Sequence, residues 1–226
     1  MPGSALLAAL RAMLPVGAAA GWADLAVDHP LMAGEAVPGA VPLRRREFAA
    51  GRAAARMALA QLGLGGLAIP HGEDRAPVWP AGFTGSITHT RQVCLAVAVP
   101  LVLCRGIGID LEDDSPLPAE LWETVLRPDE QAGMTGTAAK AVFCAKEAAF
   151  KAQYPASRTL YGFDGMRVRV TGARFRAEFT TAVPPFTLGD AVEGQIAWVA
   201  GHVLALARLS APQRSDDLSR QGGNSR

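Results

Sequence analysis

"RQVCLAVAVPLVLCRGIGIDLE" (91–112) decides how this chain folds. Two apolar runs flank Pro100, and each has strand length. A proline interrupts a sheet ladder, so the stretch predicts two buried strands broken near Pro100 and joined as a hairpin. Side chains alternate across a strand. Ile107, Ile109 and Leu111 therefore share a core-facing side, while Gly108, Asp110 and Glu112 share the other. Two carboxylates one residue apart on one face ask for a cation between them.

Working outward, "PLRRREFAAGRAAARMALAQLGLGG" (42–66) reads as a helix opened by Pro42 and stopped by glycines. Residues 70–85 are rich in Pro and Gly and read as an ordered loop leading into "GSITHT" (85–90). Residues 113–136 are polar, with a short helix expected around "AELWETVL" (119–126). "TAAKAVFCAKEAAFKAQYP" (137–155) predicts a second long helix, stopping before Pro155. "MRVRVTGARFRAEFTT" (166–181) alternates as a hairpin does, and "EGQIAWVAGHVLALARL" (193–209) predicts a strand pair turning near Gly201. The polar tail from Ser210 is expected to be disordered. The order gives an α+β fold of two similar halves, each an antiparallel sheet with a long helix.

The chain has 226 residues, half of them hydrophobic, enough for one large domain or two small ones. A formal net charge of +1 points to neither nucleic acid nor an anionic membrane as a partner. Cys94, Cys104 and Cys144 sit in apolar surroundings with no CxxC spacing, which predicts buried reduced thiols. The start, "MPGSALLAALRAMLPVGAAAGWADL", lacks a basic leader and is interrupted by Arg11 and Pro15, so it reads as a short amphipathic helix. No stretch has the ~20 uncharged apolar residues of a membrane span.

Several residues bear on chemistry. Asp110 and Glu112 fit either a Mg²⁺ site, which takes one or two carboxylates plus phosphate oxygens, or a polar strand end running into "EDDSP". Glu147 falls with Phe143, Phe150 and Tyr154 on one otherwise apolar helical stripe, so it needs a partner or a task. The plainer reading is an ion pair with Lys151 at i, i+4. On the first long helix, Arg45, Arg52 and Arg56 lie within roughly 60° at about 100° per residue. They form either a phosphate clamp or a basic surface face. Thr88 and His89 follow a Gly-rich turn and suit an anion, with Arg75 in reach; a Ser86/His89/Asp110 triad is the weaker reading.

"RRREFAAGRAAARMAL", "APVWPAGFTGSITHT", "GIGIDLE" and "FCAKEAAFKAQYP" occur in an order and at separations that closely resemble the 4′-phosphopantetheinyl transferases. The nearest type is the enterobactin synthetase component D (Sfp-type) group, and the resemblance spans roughly residues 40–165. It implies a pseudo-twofold, cytoplasmic α+β monomer with halves at 1–111 and 112–209 and a tail at 210–226. Coenzyme A and Mg²⁺, with Mn²⁺ as a substitute, would lie in the cleft between the halves. The phosphopantetheine arm would pass to a serine of an acyl, peptidyl or aryl carrier protein of siderophore or other nonribosomal peptide or polyketide synthesis. Adenosine 3′,5′-bisphosphate would leave.

Carried onto this sequence, Asp110, Glu112 and Glu147 match the metal ligands. Arg44 and Arg52 match basic residues near the adenosine and 3′-phosphate, and Thr88 and His89 match the coenzyme-binding segment. Lys146 and Lys151 match the lysines of the KExxxK signature. Glu147 is then the base, Lys151 stabilises charge, and Asp110 completes the catalytic set. Helical geometry favours Arg45 as the partner of Arg52, and the resemblance favours Arg44. Similar enzymes can carry a lysine near position 71, where this chain has His71, so Arg75 is the expected substitute. The carrier is expected on 113–136, with Trp122 and Leu126 as apolar contacts. Two other readings of the same residues are a Mg²⁺-dependent hydrolase of nucleotides or coenzyme A and a non-catalytic binding module.

Overall fold

The computed structural model describes residues 2–210. Its elements begin with α1 (Pro2–Met13), β1 (Ala19–Asp24), α2 (Pro42–Gln61), β2 (Phe83–His89) and β3 (Val93–Pro100). Then come β4 (Cys104–Asp113), α3 (Trp122–Val125), α4 (Gly136–Ser157), β5 (Met166–Thr171), β6 (Arg174–Phe179), β7 (Ala191–Val199) and β8 (His202–Ser210). The strands make two antiparallel sheets, ordered β1-β3-β2 and β4-β8-β7-β6-β5. The expected α+β fold with two antiparallel sheets, each with a long helix, is what the chain adopts.

Strand alternation sorts the core into three layers. Val93, Leu95, Val97 and Val99 of β3 join Ile107, Ile109 and Leu111 of β4 in a central layer, capped by Leu6 and Leu10 of α1. The opposite face of β3 carries Cys94, Ala96 and Ala98 against α2. The opposite face of β8 carries Val203, Ala205 and Ala207 against α4. Large branched side chains fill the space between the sheets, and small ones let each helix lie close to its own sheet.

Glycine takes this closeness to its limit. A Cβ on Gly106 would lie 2.0 Å from the Ala152 carbonyl oxygen, and one on Gly108 2.0 Å from that of Ala148. In the first half, a Cβ on Gly21 would lie 2.2 Å from the Ala54 carbonyl oxygen. The face assigned to Gly108, Asp110 and Glu112 is therefore correct, and the room the glycines leave is taken by α4.

Three expectations change. β3 and β4 do not form a hairpin. β3 has β1 on one side and β2 on the other, so both its hydrogen-bonding edges are used, and β4 pairs with β8. The chain crosses between sheets at Leu101–Leu103, whereas residue 111, where the two halves were expected to divide, lies inside β4. α4 runs through Pro155 to Ser157, because a proline in the last turn removes only one helical hydrogen bond. Finally, α1 ends at Met13, and "AAGWAD" is a strand. Its Ala and Gly content has little strand propensity, and pairing with β3 imposes the conformation. The expected tail lies outside the described residues.

β2 and β4 meet without a main-chain ladder. The Ser86 hydroxyl accepts from the Ile109 N–H at 3.1 Å, and the Thr88 hydroxyl accepts from the Leu111 N–H at 3.2 Å. Two side chains of one sheet thus satisfy buried donors of the other.

A second tie fixes the segment before α2. Glu35, 2% exposed, is ion-paired to Arg56 and accepts from the N–H groups of Met32 (3.0 Å) and Ile69 (2.8 Å). Burial pushes the Glu35 carboxyl up, but the two N–H groups and the Arg56 guanidinium outweigh it and hold the pKa below the usual range. A lowered folded pKa gives stability that is full above the unfolded value, about 4.3. That stability is lost as pH falls through the folded value. Glu35→Gln should cost about 3–5 kcal/mol at pH 7 by leaving Arg56 unpaired. It should also flatten the acid limb of stability against pH, as read by urea unfolding at pH 7 and pH 4.

Candidate functional site

The site grows from the contact of β4 with α4. Past Gly106 and Gly108, the same face of the strand presents Asp110, 5% exposed, and then Glu112 at its end. Opposite lie Lys140, Cys144, Glu147 and Lys151, spaced i, i+4, i+7 and i+11 on one stripe of α4. The stripe expected to face the core, Phe143–Glu147–Phe150–Tyr154, is only partly buried. The deep face of α4 is alanine-rich, because β4 lies too close for larger side chains.

Lys151 Nζ donates to Asp110 Oδ1 at 2.6 Å and to the Ile109 carbonyl at 3.2 Å. Lys140 Nζ donates to Glu112 Oε2 at 3.3 Å, and the Thr88 hydroxyl donates to Asp110 Oδ1 at 3.2 Å. The plainer reading of Glu147 thus gives way: the ion pair of Lys151 is with Asp110. Burial and then the Asp110 charge push the Glu112 carboxyl above its usual range, against the pull of Lys140 and Lys151. Burial also raises Glu147; Lys151 opposes this, and Asp110 and Glu112 add to it. For Lys151, burial works downward, but Asp110 and Glu147 prevail and raise its pKa.

These shifts describe carboxylates with too little positive charge among them. Asp110 Oδ2 is buried with no hydrogen-bond partner. Among the described residues no three His, Cys, Asp or Glu stand together as a group that could hold a metal ion, and here the lysines hold Asp110 and Glu112. The donors are nevertheless all oxygen, one is buried and unpartnered, and burial, joined by the charge of the neighbouring acids, raises two of the three. That chemistry fits a hard divalent cation such as Mg²⁺. The three cysteines are free and buried, as expected. Burial, then Asp110 and Glu112, push the Cys144 thiol well up, so it is inert.

A cleft of about 560 Å³ opens between the halves; of the cluster only Lys151 lines it, while Glu147 lines a separate hollow with Lys146, Phe150, Tyr161 and Phe163. Arg75, Trp79 and Ser86 line the cleft from the first half, and Phe150, Lys151 and Arg158 from the second. Asp74 Oδ2 spans its mouth, accepting from the Tyr154 hydroxyl and Arg158 Nη1, each at 3.0 Å. Arg75 sits in a left-handed turn (φ 65°) at this mouth.

The other expected ligands divide. Arg44 is exposed and donates to Glu47 at 3.3 Å, and Glu47 lies 3.8 Å from His89 Nε2, next to Thr88. Arg45 instead lines a separate hollow with Leu31 and residues 36–40, so the structure sets Arg44, not Arg45, beside the Thr88–His89 segment. Arg52 is 5% exposed, stacks 4.0 Å over Phe48 and donates to the carbonyls of Ile69 and Pro70. Burial first, with Arg44 and Arg56, lowers its pKa to about 10 despite Glu35. Arg56 is taken by Glu35, so the three-arginine clamp read from helical angles is not assembled. His71 faces the carbonyls of Gly72 and Ala36.

Lys146 does not join the cluster. It is 2% exposed, and its three donors go to the Val125 carbonyl (2.8 Å), Glu130 Oε2 (2.7 Å) and the Phe163 carbonyl (2.9 Å). It is adjacent to Glu147 and lines the same hollow, but the turn of about 100° between them gives Lys146 a separate set of polar partners. Trp122 and Leu126 are likewise not free for a carrier. Leu126 is 3% exposed, and Trp122 packs on the same core with its Nε1 donating to the Leu117 carbonyl at 3.1 Å. Sequence reading missed Lys140, although counting back seven positions from Glu147 along the helix reaches it. It also missed Asp74, whose partners are 80 and 84 residues away and carry no local signal.

Two antiparallel sheets, each under a long helix, thus meet at a seam that holds an acid–lysine cluster whose Lys151 also lines the cleft. Two family models match the chain: "4′-phosphopantetheinyl transferase N-terminal domain" over residues 33–99 and "4′-phosphopantetheinyl transferase superfamily" over residues 106–206. The chain is similar to the 4′-phosphopantetheinyl transferase Svp of Streptomyces mobaraensis, 33% identical over 82% of this chain and 80% of that protein. It is similar to the 4′-phosphopantetheinyl transferase Npt of Nocardia iowensis, 39% identical over 55% of this chain and 58% of that protein. It is similar also to enterobactin synthase component D of Escherichia coli K12, 37% identical over 48% of this chain and 54% of that protein. The matches thus span little more than half the length of two of these relatives. The chain belongs to the 4′-phosphopantetheinyl transferase superfamily.

The Lys146–Glu130 pair is almost fully enclosed, and Glu130 also accepts from the N–H groups of Val168 and Arg127. Lys146→Met should therefore lower stability by about 3–5 kcal/mol, the usual cost of leaving a buried charge without its partner. Urea unfolding followed by circular dichroism reads the loss; an unchanged midpoint would contradict it.

Proposed function

We propose that this chain transfers the 4′-phosphopantetheine group of coenzyme A to a serine of an acyl, peptidyl or aryl carrier protein domain and releases adenosine 3′,5′-bisphosphate. The observation that carries the reading is Lys151, which belongs both to the acid cluster and to the wall of the cleft. A polyanion in that cleft meets an ammonium already held in place by Asp110. Membership in the superfamily, and the names of the relatives, support the transfer reaction and a siderophore or nonribosomal peptide setting.

A divalent cation, Mg²⁺ or Mn²⁺, held by Asp110, Glu112 and Glu147, would neutralise the diphosphate of coenzyme A. The chain's own residues do the rest. Lys151 keeps its charge well above neutral pH and offsets negative charge on the diphosphate oxygens as the transition state develops. Glu147 would take the serine proton as general base; burial raises its carboxyl above the usual glutamate range, against the pull of Lys151. The serine oxygen bonds to the phosphorus bearing the pantetheine arm. The bond from that phosphorus to the bridging oxygen breaks, and its electron pair leaves with adenosine 3′,5′-bisphosphate. Arg75, in the cleft wall, and Arg44 and His89, both beside Glu47, would meet the coenzyme's charged groups. Arg52 is proposed to act through the 69–70 backbone that it holds.

Both walls of the cleft come from one chain, which supports a monomer. Three reduced thiols support a cytoplasmic setting. Among the described residues no helix is long and apolar enough to cross a membrane.

Glu147→Gln should lower transfer by at least about 10²-fold, since base catalysis contributes 10²–10⁴-fold. The melting curve should stay that of the wild type. Release of adenosine 3′,5′-bisphosphate, followed by liquid chromatography, checks the rate. Near-wild-type release from a folded Gln variant would sink the role given to Glu147.

A further inference from the structure

α4 carries a fourth polar side chain on its site-facing stripe beyond Cys144, Glu147 and Lys151. Lys140 precedes Glu147 by seven residues and Lys151 by eleven, so the three lie within roughly 40° of one another around the helix. Lys140 is 8% exposed, its Nζ lies 5.9 Å over the Phe143 ring, and it donates to Glu112 Oε2 at 3.3 Å. A long cationic side chain seldom gives up that much solvent without a partner. Its charged partner is the outer of the two strand-end acids.

We propose that Lys140 is a specificity-determining residue for the cation: an internal counter-ion that holds Glu112 and competes with the divalent cation for it. The inference rests on the reading of Asp110, Glu112 and Glu147 as cation ligands. Lys151 acts on Glu112 only through space, since its Nζ hydrogen bonds go to Asp110 Oδ1 and the Ile109 carbonyl and its ion pair is with Asp110. Without Lys140, Glu112 would stand beside Asp110 with no ion pair of its own, two like charges at one strand end. With Lys140 in place, a divalent cation reaches Glu112 only by displacing the ammonium or by sitting next to it. Either route costs Coulomb energy at a half-buried site. The protein alone therefore holds the cation weakly, and the anionic oxygens of the substrate complete the balance. The cation and the diphosphate then enter as a coupled pair.

The test uses the full chain and Mn²⁺ alone, without coenzyme, with free Mn²⁺ read by electron paramagnetic resonance. Lys140→Gln removes the charge and keeps an N–H donor for Glu112, while Lys140→Arg keeps the charge. The Gln variant should bind Mn²⁺ about tenfold more tightly than the wild type, and the Arg variant within about twofold of it. If the Gln variant does not fold, Lys140→Met, which preserves the stem over Phe143, is read in the same way. Binding by the wild type that is unchanged or weaker in the neutral variants overturns the role of Lys140 alone. Binding by none of the proteins overturns the carboxylate cation site, and this inference with it.

Discussion

The Ala148 and Ala152 carbonyl oxygens rest on Gly106 and Gly108, where any side chain would collide with main chain. That approach sets how far β4 stands from α4, and the chemistry of the site depends on the distance. It lets a lysine on the helix reach an aspartate on the strand at 2.6 Å. It also turns Glu147 toward Asp110 and Glu112, acids distant from it in the chain. Gly21 against Ala54 repeats the arrangement in the first half. Small residues under a long helix are thus the common device of both halves. The halves are then sewn together by the Ser86 and Thr88 hydroxyls, which bond to the backbone of β4 on either side of Asp110. The same threonine touches the aspartate itself, so the seam of the fold and the floor of the site are one structure.

Charge is the second constraint. Three carboxylates and two ammonium groups share the face between β4 and α4, and the positive side falls one short. Asp110 Oδ2 is left without a partner, and Glu112 and Glu147 are raised by burial and by their neighbours. A purely structural network settles its charges, as Glu130, Lys146 and the surrounding carbonyls do one helical position away. The contrast between adjacent residues Lys146 and Glu147 separates the part of the helix that holds the fold from the part poised for a ligand. Lys151 joins that cluster to the cleft wall, where a polyanion would meet its charge.

Much of this was legible in the sequence where the signal is local. The alternation of "GIGIDLE" fixed which side Asp110 and Glu112 occupy, the paired runs at 166–181 and 193–209 gave two hairpins, and both long helices were visible from composition. What could not be read depends on sequence-distant packing. The first strand, Ala- and Gly-rich, exists because β3 offers it an edge. The apparent hairpin at Pro100 fails because both edges of β3 are already taken. The helical stripe was misjudged because the glycines of β4 draw the alanine face of α4 inward, which leaves Phe143, Phe150 and Tyr154 on the flank. The arginine clamp came apart because a glutamate at 35 and two carbonyls at 69 and 70 claim its members.

The central claim is that the acids of β4 and the Glu147–Lys151 pair of α4 form one site that moves a phosphopantetheine arm onto a protein hydroxyl. Intact-mass spectrometry of an apo-carrier domain incubated with this chain, coenzyme A and Mg²⁺ tests it most directly. The account expects a single phosphopantetheine adduct on the carrier serine, formed with the wild-type chain and lost when that serine is replaced by alanine. Hydrolysis of coenzyme A with the carrier left unmodified would contradict it.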